Sequence, residues 1–240
     1  MTVRVVSLCW GSAWDRYGRK FAQSFSEHWP KDVELVMVTD AFVGLPRGRQ
    51  VYLDTIPGYR AFLDRWSGDK RATGFDPPAG TRKIDANGYS WRHDAVKWMP
   101  QALATIPGIA GLADGDIFVW FDADTETTSP VREGWIEELL GDADVACIRR
   151  PGTHTEIGFY AMRLKWQTRC VLNLFADFYK FGPLFEMSEW HSAYVWDRAL
   201  DTEPGLKIKD LNPTGVRGHA WPFTPLAEFT THNKGKRKDA

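Results

Sequence analysis

Two carboxylates, Asp122 and Asp124, follow directly on the apolar run DIFVWF at residues 116–121. Side chains alternate along extended chain, so if strand geometry continues past Phe121 both carboxylates leave the same face. A pair of that kind suits a hard divalent cation, Mn²⁺ or Mg²⁺, and such an ion can hold a diphosphate. Near the other end of the sequence His232, Gly235 and Lys238 form H-x-x-G-x-x-K. Around a metal diphosphate the three have separate tasks: imidazole ligates, glycine permits close backbone approach, and lysine offsets phosphate charge. Each segment also has a plainer reading, DADTETTSP as a polar turn and THNKGKRKDA as a solvated basic tail. Three further acids are candidates for handling a substrate. Glu156 precedes the apolar run IGFYAM, while Glu189 and Asp197 lie with His191 in SEWHSAYVWD. Asp197 shares a helical stripe with Trp190, Ala193 and Tyr194, which points it inward. Ser188 reads as a helix N-cap, and Glu189 in the first turn would then be favoured by the helix dipole alone.

The elements that must position these residues alternate. Residues 3–9 form a continuous apolar run ending at Trp10-Gly11-Ser12, as a central parallel strand does. Residues 17–28 space Phe21, Phe25 and Trp29 by four and stop at Pro30, and residues 33–38 (VELVMV) make the next strand. A short strand is expected at 51–53 and a short helix at 59–66. Residues 67–88, rich in Gly, Pro and Lys, read as a long functional or mobile loop. Residues 89–106 look helical in two pieces, divided by Pro100. After the strand at 116–121, Ser129-Pro130 reads as the start of a helix running to Leu140. Strands at 145–148 and 157–162 and helices at 165–179 and 189–200 follow, with mostly loop from Leu206 onward. Repeated strand, helix and strand is the signature of an α/β fold. We expect one domain over 1–240, with a mixed, mostly parallel sheet flanked by helices.

Composition narrows the partners. With 30 basic and 31 acidic residues the formal net charge is -1, so no global charge draws the chain to nucleic acid or membrane. The loop cations Lys70, Arg71, Arg82 and Lys83, with the basic tail, leave a local nucleic-acid contact open. Cys9, Cys147 and Cys170 sit in apolar runs without ligand spacing and read as reduced core residues. No signal-peptide h-region or membrane-length apolar run is visible, so a cytoplasmic protein is expected. The 12 tryptophans suit both a large core and sugar-ring stacking.

A strand-terminal D-x-D together with a late H-x-x-G-x-x-K resembles the GT-A glycosyltransferases, especially the glycogenin-like and galactosyltransferase-like retaining families. The opening strand, the strand ending at Asp40, DIFVWFDAD, IGFYAM and the closing basic motif come in that family's order. The resemblance implies a single Rossmann-like domain, its nucleotide-binding half over about 1–124 and its acceptor and sugar half over about 125–240. It implies transfer from a UDP-sugar or GDP-sugar, with Asp122, Asp124 and His232 binding Mn²⁺ and the donor diphosphate. Lys238 and Lys236 would touch phosphate, with Gly235 giving close approach. Cys9, Trp10, Gly11 and Asp40 would line the nucleoside pocket, and Arg92 and Lys97 would approach the phosphates or donor sugar. One of Glu156, Glu189 and Asp197 would be a general base in an inverting enzyme, or would hold the donor sugar in a retaining one. Lys238 is followed by Asp239-Ala240 and not by the Pro-Trp of the glycogenin-like motif, which leaves the stereochemical course open. The acceptor could be a protein, a glycan or a modified nucleic-acid base. The rivals are a haloacid dehalogenase-like phosphatase with Asp122 as nucleophile, whose D-x-D normally lies near the N-terminus, and a carbohydrate-binding module, normally all-β. A sugar nucleotidylyltransferase would need a better phosphate loop than CWGSAWDRYGRK.

Overall fold

The computed structural model describes residues 1–81 and 83–233; Arg82 and residues 234–240, and with them Gly235, Lys236 and Lys238, lie outside the described residues. In chain order the first half holds β1 (Val3–Cys9), α1 (Arg19–His28), β2 (Glu34–Thr39), β3 (Arg49–Tyr52), α2 (Tyr59–Trp66), α3 (Ala95–Leu103), α4 (Thr105–Ile109) and β4 (Ile117–Phe121). The second half holds β5 (Thr125–Thr127), α5 (Trp135–Leu140), β6 (Val145–Ile148), β7 (Glu156–Arg163), α6 (Trp166–Phe181), α7 (Ser192–Leu200), β8 (Ile208–Asp210) and β9 (Thr230–His232).

Seven strands make one sheet in the order β3-β2-β1-β4-β7-β6-β8, and β5 pairs with β9 in a second, two-stranded one. In the large sheet only β7 runs against its neighbours, pairing antiparallel with β4 and β6. The carboxyl ends of β1, β2, β4, β6 and β8 therefore share one edge with the start of β7. Ligands of open α/β sheets bind along such an edge.

Every residue of β1 and β4 is buried, because helices cover both faces of the sheet. Parity sorts the side chains. Val6, Leu8, Phe118 and Trp120 face a core closed by α2, α3, α6 and α7. Val3, Val5, Ile117, Val119 and Phe121 face a second core, against Phe21 and Phe25 of α1 and Trp135 of α5. Six tryptophans, Trp29, Trp120, Trp135, Trp190, Trp196 and Trp221, are buried in these layers.

Several local expectations are corrected. Ser129-Pro130 starts no helix: Thr128 N donates to Phe229 O and Val131 N to His28 O, and no helix begins until Gly134, in the left-handed region, opens α5. Pro100 does not divide a helix but lies inside α3; the break comes at Ala104. Ser188 is not an N-cap; His191 caps α7 by accepting from Tyr194 N through its Nδ1, so Glu189 stands ahead of the helix. Cys170 is half-buried on α6, while Cys9 and Cys147 are buried, and all three thiols are free. The strands β5, β8 and β9 were not foreseen. Among the described residues no helix is long and apolar enough to cross a membrane.

Candidate functional site

The chain does not stay extended past β4. Thr125 N donates to Asp122 O at 3.0 Å, so a turn brings the two carboxylates together where alternation was expected to do so. β5 then leaves the turn and pairs with β9, placing Thr125 opposite His232, and Asn233 N donates to Asp124 O at 2.9 Å. This small sheet carries His232 to the D-x-D: its Nε2 stands 3.0 Å from Asp124 Oδ1. One ligand atom from each of Asp122, Asp124 and His232 can be chosen so that all lie within 4.8 Å of one another.

Three residues not foreseen shape this group. Trp120 Nε1 donates to Asp122 Oδ1 at 2.9 Å, and Gln101 Nε2 reaches the same oxygen at 3.5 Å while also donating to Ile157 O. Gly158 lies beneath, its carbonyl accepting from Asp122 N; a Cβ there would come within 3.0 Å of His232 Cε1 and 3.3 Å of Asp122 Oδ2. No sequence motif marks Gln101; Gly158 interrupts a β-branched and aromatic strand, which signals close approach. Burial and the Asp124 carboxylate push the Asp122 carboxyl up to about 6, against the opposing pull of His232 and Trp120. Packed carboxylates that disfavour one another's charge are stabilised by a cation. His232 Nδ1 is buried without a hydrogen-bond partner among the described residues. Two hard oxygen donors, an imidazole and an open floor at Gly158 fit a divalent ion of the Mn²⁺ or Mg²⁺ kind.

Toward β1 and β2, Gly11 N donates to Asp40 Oδ2 at 2.9 Å, tying the two strand ends together. Trp10 is 39% exposed beside them. Cys9 is buried, and desolvation pushes its thiol up to about 12, with the Asp40 and Asp124 charges adding to the shift.

The remaining candidates gather elsewhere. Arg92 is ion-paired with Glu189, and Glu189 Oε2 lies 2.8 Å from His191 Nε2 and 3.4 Å from His154 Nε2. His154 continues the network through Nδ1 to Asp197 Oδ2 at 3.3 Å, and Asp197 also accepts from Thr155 N. Burial pushes the Glu189 carboxyl up, but hydrogen bonding from His191 and the charges of His191 and Arg92 outweigh it and hold it down at about 2. His154, Glu189 and His191 are close enough for a metal. In the neutral form that burial favours, however, His191 Nδ1 accepts from Tyr194 N, so its Nε2 carries the proton and donates to Glu189. We therefore read the trio as a hydrogen-bonded ion network. His154 carried no sequence signal beyond lying in a loop between strands. Glu156 is buried and paired with Arg150 at 3.0 Å. Lys97 is exposed, with its ammonium over the Trp98 ring at 5.0 Å. Arg71 donates to Phe185 O and covers the Phe185 and Trp190 rings.

No protein-family model matches the sequence, and no curated protein matches it. Among solved structures the chain is similar to mouse xyloside xylosyltransferase 1 in its apo form, at 9% identity and a TM-score of 0.51, covering 89% of this chain and 86% of that one. A glycosyltransferase uses this fold. Two structures of the glycosyltransferase GlyE of Streptococcus pneumoniae TIGR4 are also similar, at 15% and 14% identity and TM-scores of 0.47 and 0.44. They match 88% and 87% of this chain, which spans 45% of GlyE in each case.

Proposed function

We propose that the protein is a metal-dependent glycosyltransferase that moves a hexosyl or pentosyl unit from a UDP-sugar or GDP-sugar to an acceptor. The observation that carries this reading is the convergence of Asp122, Asp124 and His232 at the carboxyl edge of a sheet whose fold a xylosyltransferase shares. In this reading the three side chains hold Mn²⁺ or Mg²⁺ with the donor diphosphate, with Gly235, Lys236 and Lys238 as further phosphate contacts. When bound, the ion supplies stabilisation of the negative charge that develops on the departing nucleoside diphosphate. The bond from the anomeric carbon to the diphosphate oxygen breaks, a bond to the acceptor hydroxyl oxygen forms, and that hydroxyl loses its proton. Trp10 offers a flat face to the base, and Asp40, fixed by Gly11 N, a carboxylate to the ribose hydroxyls.

The acids divide by environment. Glu189, held down at about 2, is a weak base and serves to accept from sugar hydroxyls. Glu156 is neutralised by Arg150. Asp197, half-buried and oriented by Thr155 N and His154, is the acid left to take the acceptor proton. A phosphatase reading asks for a reactive Asp122 nucleophile, whereas Trp120 and Gln101 occupy its Oδ1 and its carboxyl is raised. A carbohydrate-binding module of the usual all-β kind does not fit the α/β layers.

The test is donor hydrolysis across UDP- and GDP-sugars, with and without Mn²⁺, in wild type, Asp124→Ala and His232→Ala. Metal-dependent release of one nucleoside diphosphate, lost in both variants, is the expected outcome. Turnover that ignores both the metal and the substitutions sinks the reading.

A further inference from the structure

Beyond the His154 network the same edge of the sheet opens into a cavity of about 350 Å³, between the β6–β7 loop, α7 and the end of β8. Three arginines, Arg149, Arg150 and Arg198, and three aspartates, Asp197, Asp201 and Asp210, line it, so the formal charges of its walls cancel. The walls are held by the protein itself. Asp210 Oδ1 accepts from Arg149 N at 3.0 Å and Asn212 N at 2.9 Å, Asp197 is fixed by Thr155 N, and Arg198 pairs with Asp201 at 2.8 Å.

We propose that this cavity is a subsite for a neutral sugar ring, the part of the acceptor that the protein recognises. The volume lies at the low end of the roughly 300–1,000 Å³ of small-molecule pockets, enough for a ring-sized unit. A phosphodiester chain is drawn by net positive charge, which these walls lack, and a carboxylated ligand would meet three aspartates. Sugar hydroxyls both donate and accept. Carboxylates and guanidinium forks set around one cavity satisfy both roles, and the backbone bonds that hold Asp197 and Asp210 lower the ordering cost of binding. The position also fits. Asp197 belongs both to the cavity and to the His154 network, and Arg150 reaches from the cavity wall to Glu156, whose charge acts on Asp122. The term acceptor rests on the transferase reading; the sugar binding does not.

The experiment is saturation-transfer NMR of methyl glycosides of glucose, galactose and xylose, without donor or metal, with methyl glucuronide as the anionic probe. It compares wild type with Arg149→Leu, Arg198→Ala and Asp124→Ala; both arginines are exposed, so their replacement leaves the core intact. We expect at least one neutral glycoside to be saturated by wild type and by Asp124→Ala, and its affinity to fall about tenfold in each arginine variant, as for one lost charge-assisted hydrogen bond. The proposal is overturned if no neutral glycoside binds, if only the glucuronide does, if binding survives both arginine substitutions, or if Asp124→Ala abolishes it. Glycoside binding without any donor turnover would overturn the transferase reading and leave the sugar subsite standing.

Discussion

Gly158 shows how little room separates a working site from a blocked one. A methyl group there would press on His232 and on the Asp122 carboxylate. Gly158→Ala is therefore expected to weaken Mn²⁺ binding about tenfold or more, the range typical of changes around metal ligands, with little loss of fold. Titration of Mn²⁺ by electron paramagnetic resonance measures it; unchanged affinity would show that the three groups do not bind the ion together. Glu189 yields a prediction of opposite character. Its folded pKa of about 2 lies below the ordinary 4.5, so the ionised form stabilises the fold above about 4.5, and that contribution is lost as pH falls toward about 2. Glu189→Gln should accordingly lower Tm near neutral pH, and the gap to wild type should shrink as pH falls from 5 to 3, as thermal melts at stepped pH would record. A constant gap would mean that shape, not charge, is what the substitution disturbs. At this scale the D-x-D was legible because two carboxylates at the end of an apolar strand are conspicuous. Gln101 and His154 were not, because nothing local distinguishes a polar side chain that reaches across the fold from one that reaches into water.

The elements tell a parallel story. β1, β4 and β7 were readable because a sheet covered on both faces demands unbroken apolar runs. The strands β5, β8 and β9 read TET, IKD and TTH, too short and too polar for periodicity to speak, and their pairing depends on partners distant in sequence. The first turn of α7 was misplaced for a related reason: a histidine supplies the cap that a serine nearby was expected to supply. Packing between elements is tight enough to test. A Cβ at Gly108 of α4 would come within 2.5 Å of the Phe118 ring in β4. Gly108→Ala should cost about 1–3 kcal/mol by overpacking, despite alanine's better helix propensity. Urea unfolding reads this directly, and a stabilised variant would mean that α4 can move off the sheet freely.

At the scale of the whole molecule, Asp122, Asp124 and His232 come from segments that the chain brings together only when folded. Any ion bound by all three side chains must stabilise the native state. At 100 times its Kd the gain is about 2.7 kcal/mol, or about 5–10 °C in Tm for a chain of this size. Wild type should show that rise with Mn²⁺ and Asp124→Ala should not; equal shifts in both would place the ion elsewhere. The two-stranded sheet adds a consequence of timing. A ribosome delivers the Asp122-Asp124 turn well before the strand that brings His232. A nascent chain can thus assemble most of the large sheet while still unable to form the complete ligand set. Competence to hold an ion there would then mark a chain whose synthesis has run past β9.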